Sequence, residues 1–312
     1  MRYFARGKLL LTAEYAVLGG ASALAVPTRL GQSLTVNPID QKRIEWKSID
    51  EQGTVWYQNT FDKHSLLPGN TDDKISDRLQ ALLQRIAKEN CNLWNSAPGF
   101  SFETKLDFNR SWGLGSSSTL VSLLAQWAEM NPYLLQQSVF GGSGYDIACA
   151  TASGPIRYTL VKGQQPHVEG VNFAPAFLDH LYFVYLNQKQ DSQNEVAAFD
   201  YDKLVPKFIH QINKLTDEFL GATTLDVFQQ SMGKHEHKIS VLLGSQSIGE
   251  KIFLDYNGAV KSLGAWGGDF ILACGDANTP NYFRERGYPV CFAYKDLIYD
   301  ASLGLGADLG LP

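Results

Sequence analysis

The sequence predicts a two-domain protein of mixed α and β structure, in the α/β or α+β class. Strand-like and helix-like segments follow one another without an internal repeat or a low-complexity stretch. The 312 residues, 44% of them hydrophobic, can bury a sizeable core, and this length suits two domains of ordinary size. A polar, glycine-containing stretch, KGQQPHVEG, precedes a new apolar strand. We therefore expect domains over residues 1–170 and 171–312.

The first half contains three strand-like segments and one strong helix pattern. SALAV, GQSLTVN and GFSFETKLDF are short, partly alternating and rich in β-branched or aromatic residues, which is typical of a half-covered sheet. DDKISDRLQALLQRIAKEN has apolar residues at helical spacing, with Asp72 and Asp73 near its start. The apolar positions that should pack on the sheet are Ile75, Leu79, Leu82, Leu83 and Ile86.

The second half begins with the strand-like segment HLYFVYL. Three helix-like segments follow between about residues 193 and 250. The segment AVKSLGAWGGDFILACG then predicts a strand, a glycine-rich turn and a second strand.

Charge and cysteine content limit the class of partner. A net charge of -5 and a pI near 5.7 argue against a nucleic-acid or anionic-membrane surface, so we expect neither as a partner. The four cysteines form no CxxC pair, which favours reduced thiols and a cytoplasmic protein. No apolar run reaches the roughly 18 residues of a membrane span. The oligomeric state stays open, with a homodimer among the alternatives.

The stretch WGLGSSST is a candidate phosphate-binding loop. Leu120, Val121 and Leu124 share one face of the helix that follows it, which places the three serines 116–118 at the N-cap and first turn. Free backbone N–H groups and the positive end of the helix dipole attract anions there, and glycines allow close approach. Serine hydroxyls can also coordinate Mg²⁺. The alternative is an ordinary capped helix after a flexible turn; the loop does not match GxxxxGK[ST].

Together with GKLLLTAEYAVLGG near the start, GGSGYDIACA at 141–150 and the turn KSLGAWGGDF, this loop resembles the motifs of the GHMP kinases. These small-molecule kinases are named for galactose, homoserine, mevalonate and phosphomevalonate. GSGYDIACA is similar to the phosphomevalonate and mevalonate kinase forms and to a bacterial branch marked by GYDIA. The resemblance implies the two-domain GHMP kinase fold, of α+β class, with an N-terminal α/β domain and a C-terminal ferredoxin-like domain. It also implies that ATP, Mg²⁺ and a small anionic acceptor bind in a cleft.

The resemblance assigns site residues by motif position. Asp146 matches the catalytic aspartate and Lys8 the lysine that faces it, while Ser117 would contact Mg²⁺. Lys189 and Ser192, in a loop similar to a KxxS/T segment, would contact the acceptor, as would Gly264 and Gly267 of the last turn. The residues that would surround the ATP phosphates are Gly113, Leu114, Gly115, Ser116, Ser117 and Ser118.

Phosphoryl transfer explains why such residues would be needed. The reaction requires in-line positioning, neutralisation of charge on the transferred group, and a proton acceptor where the nucleophile carries a proton. A carboxylate beside an ammonium stays ionised, so Asp146 would orient the acceptor and receive a late proton. The alternatives are a helix N-cap for Asp146, a solvated strand end for Lys8 and an N-cap for Ser192. Glu14 would either form a salt bridge with Lys8 or be exposed.

Several positions depart from the family pattern. Mevalonate kinases carry a Mg²⁺-binding glutamate upstream of the aspartate, whereas here that region reads Leu135, Gln136, Gln137 and Ser138. Its absence favours the phosphomevalonate branch. In the last turn Leu263 replaces serine and Trp266 replaces glycine, and in the first motif Arg6 replaces proline and Ala13 replaces glycine. In KHEHK, at 234–238, histidines two apart on a helix point away from each other, which favours a solvated helix start over a metal site.

Three functions are therefore weighed. The first is an ATP-dependent phosphomevalonate kinase of the mevalonate (isoprenoid) pathway, and the second is a mevalonate kinase or another GHMP small-molecule kinase. The third is a non-catalytic binding protein of the same fold. A phosphomevalonate site would need at least two cations for the acceptor, and Lys189, Arg110 and Lys261 lie nearest to the motif loops.

Overall fold

The computed structural model describes residues 1–70, 74–188, 195, 198–266 and 269–305. The chain forms two compact units that are each discontinuous in sequence. The first unit consists of 1–7, 30–110 and 114–151, and the second of 8–29, 111–113 and 152–312. A single division at residue 170 stays a prediction about domains. By contacts, the segments 8–29 and 152–170 belong to the same unit as the C-terminal half. These two segments also pair with each other, since residues 23–25 lie beside the strand that begins at residue 156.

Strands and helices both occur in each half of the described chain. The strands are β1 (Arg2–Leu10), β2 (Ala23–Ile39), β3 (Arg43–Ile49), β4 (Val55–Asp62), β5 (Gly99–Leu106), β6 (Ile156–Thr159), β7 (His167–Gly170), β8 (Leu181–Tyr185), β9 (Ala259–Ser262), β10 (Phe270–Cys274) and β11 (Cys291–Ala293). The helices are α1 (Lys74–Glu89), α2 (Cys91–Trp94), α3 (Ser116–Ala128), α4 (Pro132–Val139), α5 (Tyr145–Ala150), α6 (Pro206–Leu220), α7 (Leu225–Leu243), α8 (Ile248–Lys251), α9 (Thr279–Glu285) and α10 (Tyr294–Leu297).

In the first unit, strands β4, β3, β5 and β2 form a sheet in that order, with β3 and β5 parallel and the other neighbours antiparallel. Alternation along β5 turns every second side chain into the core, as the period of two requires. Trp46 stacks on Phe102 at a ring distance of 5.1 Å, and Trp127 of α3 meets Phe102 edge-on at 4.9 Å. The helix α3 is thereby fixed on the sheet by aromatic packing.

The predicted amphipathic helix is confirmed as α1. Leu79, Leu82, Leu83 and Ile86 are all buried in the core of the first unit, and Ile75 packs against its edge. Each fully buried leucine or isoleucine contributes about 2 kcal/mol of hydrophobic stabilisation. Asp72 and Asp73 lie outside the described residues.

The two predicted strands SALAV and GQSLTVN are one strand, β2, rather than two. Residues 23–25 pair with β6 and residues 32–39 pair with β5. Pro27 lies between these two pairings, and its carbonyl accepts from the N–H of Tyr299.

In the second unit, β11, β8, β10 and β9 form an antiparallel sheet in that order. Along the chain these strands and their helices follow a β-α-β-β-α-β sequence, which is the ferredoxin-like arrangement. The predicted C-terminal domain type and the predicted strand–turn–strand of β9 and β10 are confirmed. All four cysteines are free thiols. Among the described residues, no helix is both long and apolar enough to span a bilayer.

Candidate functional site

The glycine- and serine-rich loop leads into the start of α3 in the first unit. Gly115 is the N-cap, in the left-handed region at φ 93°, and no side chain caps the helix. The serines 116–118 occupy the first three helical positions, so the helix begins one residue earlier than a serine cap predicts. The N–H groups of this first turn are therefore available to an anion at the positive end of a 13-residue helix.

The residues of this loop differ in how far they are buried. Ser118 is buried and its hydroxyl donates to the carbonyl of Gly115 at 3.0 Å, so it closes the turn internally. Leu114 is fully buried and does not present a side chain to a ligand. Ser116 is half-buried, whereas Ser117 is exposed. Of the three serines, Ser117 presents the most accessible hydroxyl.

Asp146 lies in the first turn of α5, also in the first unit, and is half-buried. Its Oδ1 accepts from the N–H of Ile147 at 3.0 Å and from Nε2 of Gln136 at 3.2 Å. Gln136 is buried on α4. The segment that lacks the expected glutamate therefore supplies Gln136, whose side-chain amide binds the carboxylate of Asp146.

In the second unit, Lys8 is half-buried near the end of β1, and its Nζ donates to the carbonyl of Gly113 at 2.8 Å. Gly113 has φ 66°, a conformation that favours glycine, and a Cβ built there would clash with the carboxylate of Asp269. Sequence reasoning missed Asp269, although its place in the GGDF turn was a signal. Lys8 and Asp146 belong to different units, and their facing each other stays a prediction.

Glu14 is neither exposed nor paired with Lys8, which corrects both sequence-based alternatives. Glu14 and Lys261 are fully buried and form an ion pair, and Nζ of Lys261 also donates to the carbonyl of Ser262 at 3.0 Å. Lys261 is therefore wrong as a predicted acceptor-binding cation, because its ammonium is enclosed with a carboxylate. Burial raises the pKa of Glu14 to about 7, although the field of Lys261 lowers it.

The segment KHEHK is not a solvated helix start, because it lies in the interior of α7. His235 and Glu236 are buried, and Nδ1 of His235 lies 3.6 Å from Oε2 of Glu14. Burial, and secondarily the charge of Lys261, lowers the pKa of His235 well below its ordinary value, so this histidine is neutral. The signal in the sequence was that His235 and Glu236 lie among the apolar residues of the buried helix face, and sequence reasoning missed it. No group of three or more His, Cys, Asp or Glu in the described part of the chain could hold a metal ion.

The turn between β9 and β10 carries the remaining motif residues. Gly264 has φ 62° and open space where a side chain would begin. Trp266 is half-buried at φ 59°, a conformation that is uncommon for a bulky residue, and its Nε1 has no hydrogen-bond partner among the described residues. Leu263 is buried. The predicted acceptor-binding residues Lys189, Ser192 and Gly267 lie outside the described residues.

Arg110, in the first unit, stacks its guanidinium over the ring of Trp56. The distance from Cζ to the ring centroid is 3.4 Å. Stacking of this kind fixes the plane of a guanidinium.

No family model and no curated protein matches this sequence. Solved structures do match it over nearly its whole length. Phosphomevalonate kinase of Streptococcus pneumoniae, solved with phosphomevalonate and AMPPNP, has a TM-score of 0.70 at 16% identity, with 92% of this chain and 95% of that chain covered. Mevalonate kinase of Methanococcus jannaschii has a TM-score of 0.66 at 18% identity, with coverage of 94% and 96%.

Galactokinase of Lactococcus lactis, solved with galactose, also matches, with a TM-score of 0.66 at 14% identity and coverage of 93% of this chain and 92% of that chain. The class that these comparisons define is the GHMP kinase fold. The chain has that fold, and the predicted α+β fold is confirmed.

Proposed function

We propose that this protein is an ATP-dependent small-molecule kinase of the GHMP type. The observation that carries the proposal is the start of α3, where a glycine N-cap leaves the first-turn N–H groups without a side-chain partner. This feature occurs in a fold shared with kinases of phosphomevalonate, mevalonate and galactose. A helix of 13 residues that begins in this way binds phosphate oxygens through its backbone.

The residues of the loop fit a triphosphate and a magnesium ion. Gly115 has a positive φ and carries no side chain, so a phosphate can approach the backbone closely there. Ser117, exposed at the second helical position, offers a hard oxygen ligand of the kind that Mg²⁺ prefers. When bound, ATP and Mg²⁺ supply the transferable phosphoryl group and neutralise part of its charge.

The chain's own residues would position the acceptor and handle its proton. The Asp146 carboxylate, fixed by Gln136 and the N–H of Ile147, would accept a hydrogen bond from the acceptor and receive a late proton. Lys8, held by the carbonyl of Gly113, would add positive charge near the transferred group. If the acceptor nucleophile is already a phosphate, Asp146 serves mainly to position it.

We infer phosphomevalonate as the acceptor, and the mevalonate (isoprenoid) pathway as the context. Gln136 supports this choice, because its amide binds Asp146 where mevalonate kinases carry a metal-binding glutamate. With Lys261 excluded, Arg110 and Lys189 remain as the candidate cations for an acceptor with a carboxylate and a phosphate. The free cysteines support a reducing compartment, which we take to be the cytoplasm.

The test is ATP consumption by the purified protein with mevalonate, phosphomevalonate, homoserine and galactose, each with and without Mg²⁺. We expect Mg²⁺-dependent turnover that is fastest with phosphomevalonate. Replacing Arg110 with alanine should raise KM for that acceptor by roughly 10-fold to 100-fold and leave KM for ATP unchanged. Faster turnover of mevalonate would identify the acceptor as mevalonate. Binding of ATP without turnover on any acceptor would favour a non-catalytic binding protein.

A further inference from the structure

The segment 11–15 of the second unit is held in a strained conformation. Ala13 and Tyr15 have φ values of 64° and 57°, and both are buried. A non-glycine residue in the left-handed region costs about 1 to 3 kcal/mol and persists where the surroundings determine it. Other parts of the protein must therefore hold these two residues in their conformation.

Side chains from α7 and β9, and a backbone carbonyl from the turn after β9, hold this segment. The N–H of Ala13 donates to Nε2 of His235 at 2.8 Å. Glu14 pairs with Lys261, and the hydroxyl of Tyr15 donates to the carbonyl of Ala265 at 3.0 Å. Three consecutive residues of the segment are thus each bound by a different partner.

The same helix also holds the second motif segment, the turn 262–266. The carboxylate of Glu236 accepts from the N–H of Ser262 at 3.1 Å and from its hydroxyl at 2.8 Å. His235 and Glu236 are adjacent on α7, so one turn of this helix contacts both segments. Both segments carry motifs that resemble those of the GHMP kinases.

Stability does not account for this cluster. Glu14, Lys261 and His235 are fully buried, and Glu236 is nearly so. Buried ion pairs lose in desolvation about what they gain in attraction, and apolar replacements of similar volume are often as stable. The hydrogen bonds from the Ala13 and Ser262 N–H groups to His235 and Glu236 instead limit the geometry of the backbone at both segments.

We propose that His235, Glu236, Glu14 and Lys261 are positioning residues that hold segment 11–15 and turn 262–266 in the one arrangement that supports phosphoryl transfer. None of the four needs to touch ATP or the acceptor. This inference rests on the proposed kinase function for its catalytic consequence, whereas the holding of the two segments can be measured without any activity.

The experiment compares three variants with the parent. His235→Leu removes the acceptor for the Ala13 N–H at similar volume, and His235→Gln places an amide oxygen near the former Nε2. His237→Leu is the matched control, because His237 is exposed on the same helix. Peptide-resolved hydrogen exchange over 11–15 and 262–266 is measured without ligand, and kcat and KM for ATP are measured with the active acceptor.

For His235→Leu we expect about tenfold faster exchange in segment 11–15, the effect of one lost buried hydrogen bond. We also expect kcat to fall about tenfold or more, with KM for ATP unchanged. His235→Gln should recover most of both losses, and His237→Leu should match the parent. If His235→Leu does not fold, Glu14→Gln, which keeps the shape and removes the charge, is measured in the same way and should show the same paired changes.

Two results would overturn the inference. Parent-like exchange in segment 11–15 of the folded variant would show that His235 does not hold the segment. Faster exchange with parent-like kcat would show that the held geometry does not serve the reaction. A parent that is inactive on every acceptor would instead overturn the proposed function and the catalytic part of this inference, and the exchange data would still decide the structural part.

Discussion

The amide of Gln136 donates from Nε2 to Oδ1 of Asp146 at 3.2 Å and lies 3.5 Å from Oδ2. A carboxylate is an acceptor, so the NH₂ end of the amide faces it and the amide oxygen points elsewhere. Gln136 is buried on α4, which limits its rotamers. The aspartate carboxylate is therefore oriented by a neutral donor and not by a metal-binding glutamate.

Replacement of Asp146 by asparagine should lower kcat by about 100-fold or more and leave KM for ATP nearly unchanged, because the carboxylate acts on the acceptor. A loss near tenfold would indicate positioning without proton transfer, and so a phosphate acceptor. Steady-state kinetics with varied ATP and varied acceptor measure both constants. Gln136→Leu is the companion variant, and its kcat should fall less, because the carboxylate remains. A parent-like kcat in Asp146→Asn would remove this residue from the mechanism.

Ser117 and Ser118 should respond to alanine in different ways. Ser117→Ala should raise the Mg²⁺ concentration needed for half-maximal rate, since an accessible oxygen ligand is lost. Ser118→Ala should instead lower the free energy of unfolding by about 1 kcal/mol, because the buried bond to the Gly115 carbonyl is lost. Mg²⁺ titration and urea unfolding of both variants separate the two effects. The assignment of Ser117 to the metal is wrong if its alanine variant keeps the parent's Mg²⁺ dependence.

Gly113→Ala should destabilise the protein more than Gly163→Ala does. Both glycines have positive φ, at 66° and 74°, so alanine costs about 1 kcal/mol of backbone strain at either position. A Cβ at Gly113 would also clash with the carboxylate of Asp269, whereas one at Gly163 meets nothing within 4 Å. We expect an extra loss of about 1 to 3 kcal/mol for Gly113→Ala in urea unfolding. Equal losses would mean that Asp269 moves away at no cost.

The pH dependence of stability should contain a contribution from Glu14. Burial raises its pKa from 4.5 to about 7 in the folded protein. Between these values the folded state binds more protons than the unfolded state, so stability falls as pH rises through this window. Glu14→Gln removes the titrating carboxyl group, so this variant should lack the decline. In the parent the decline amounts to roughly 2 to 3 kcal/mol of unfolding free energy across the window. Urea unfolding from pH 4.5 to 8 measures it, with the exposed Glu285→Gln as control. Parallel curves for parent and Glu14→Gln would contradict the raised pKa.

Local patterns were sufficient for several elements of the fold. The spacing of Leu79, Leu82, Leu83 and Ile86 predicts α1, and the apolar strand, turn and strand near the C-terminus predict β9 and β10, because period and turn chemistry are local properties. The loop before α3 was likewise predicted at the start of a helix. The continuity of β2 through Pro27 was not, since it depends on which strands pair on either side.

The sequence by itself determined α1, the strands β9 and β10 and the motif residues, whereas the tertiary structure decided which polar groups meet. Glu14 pairs with Lys261, 247 positions away, and the Ala13 N–H meets His235, 222 positions away. The sequence does not distinguish a charged motif residue that faces solvent from one that pairs with a buried partner. The difference is made by burial, because a charge that is removed from water requires a specific partner. That partner is brought to it by the packing of α7 and β9 and not by any local pattern.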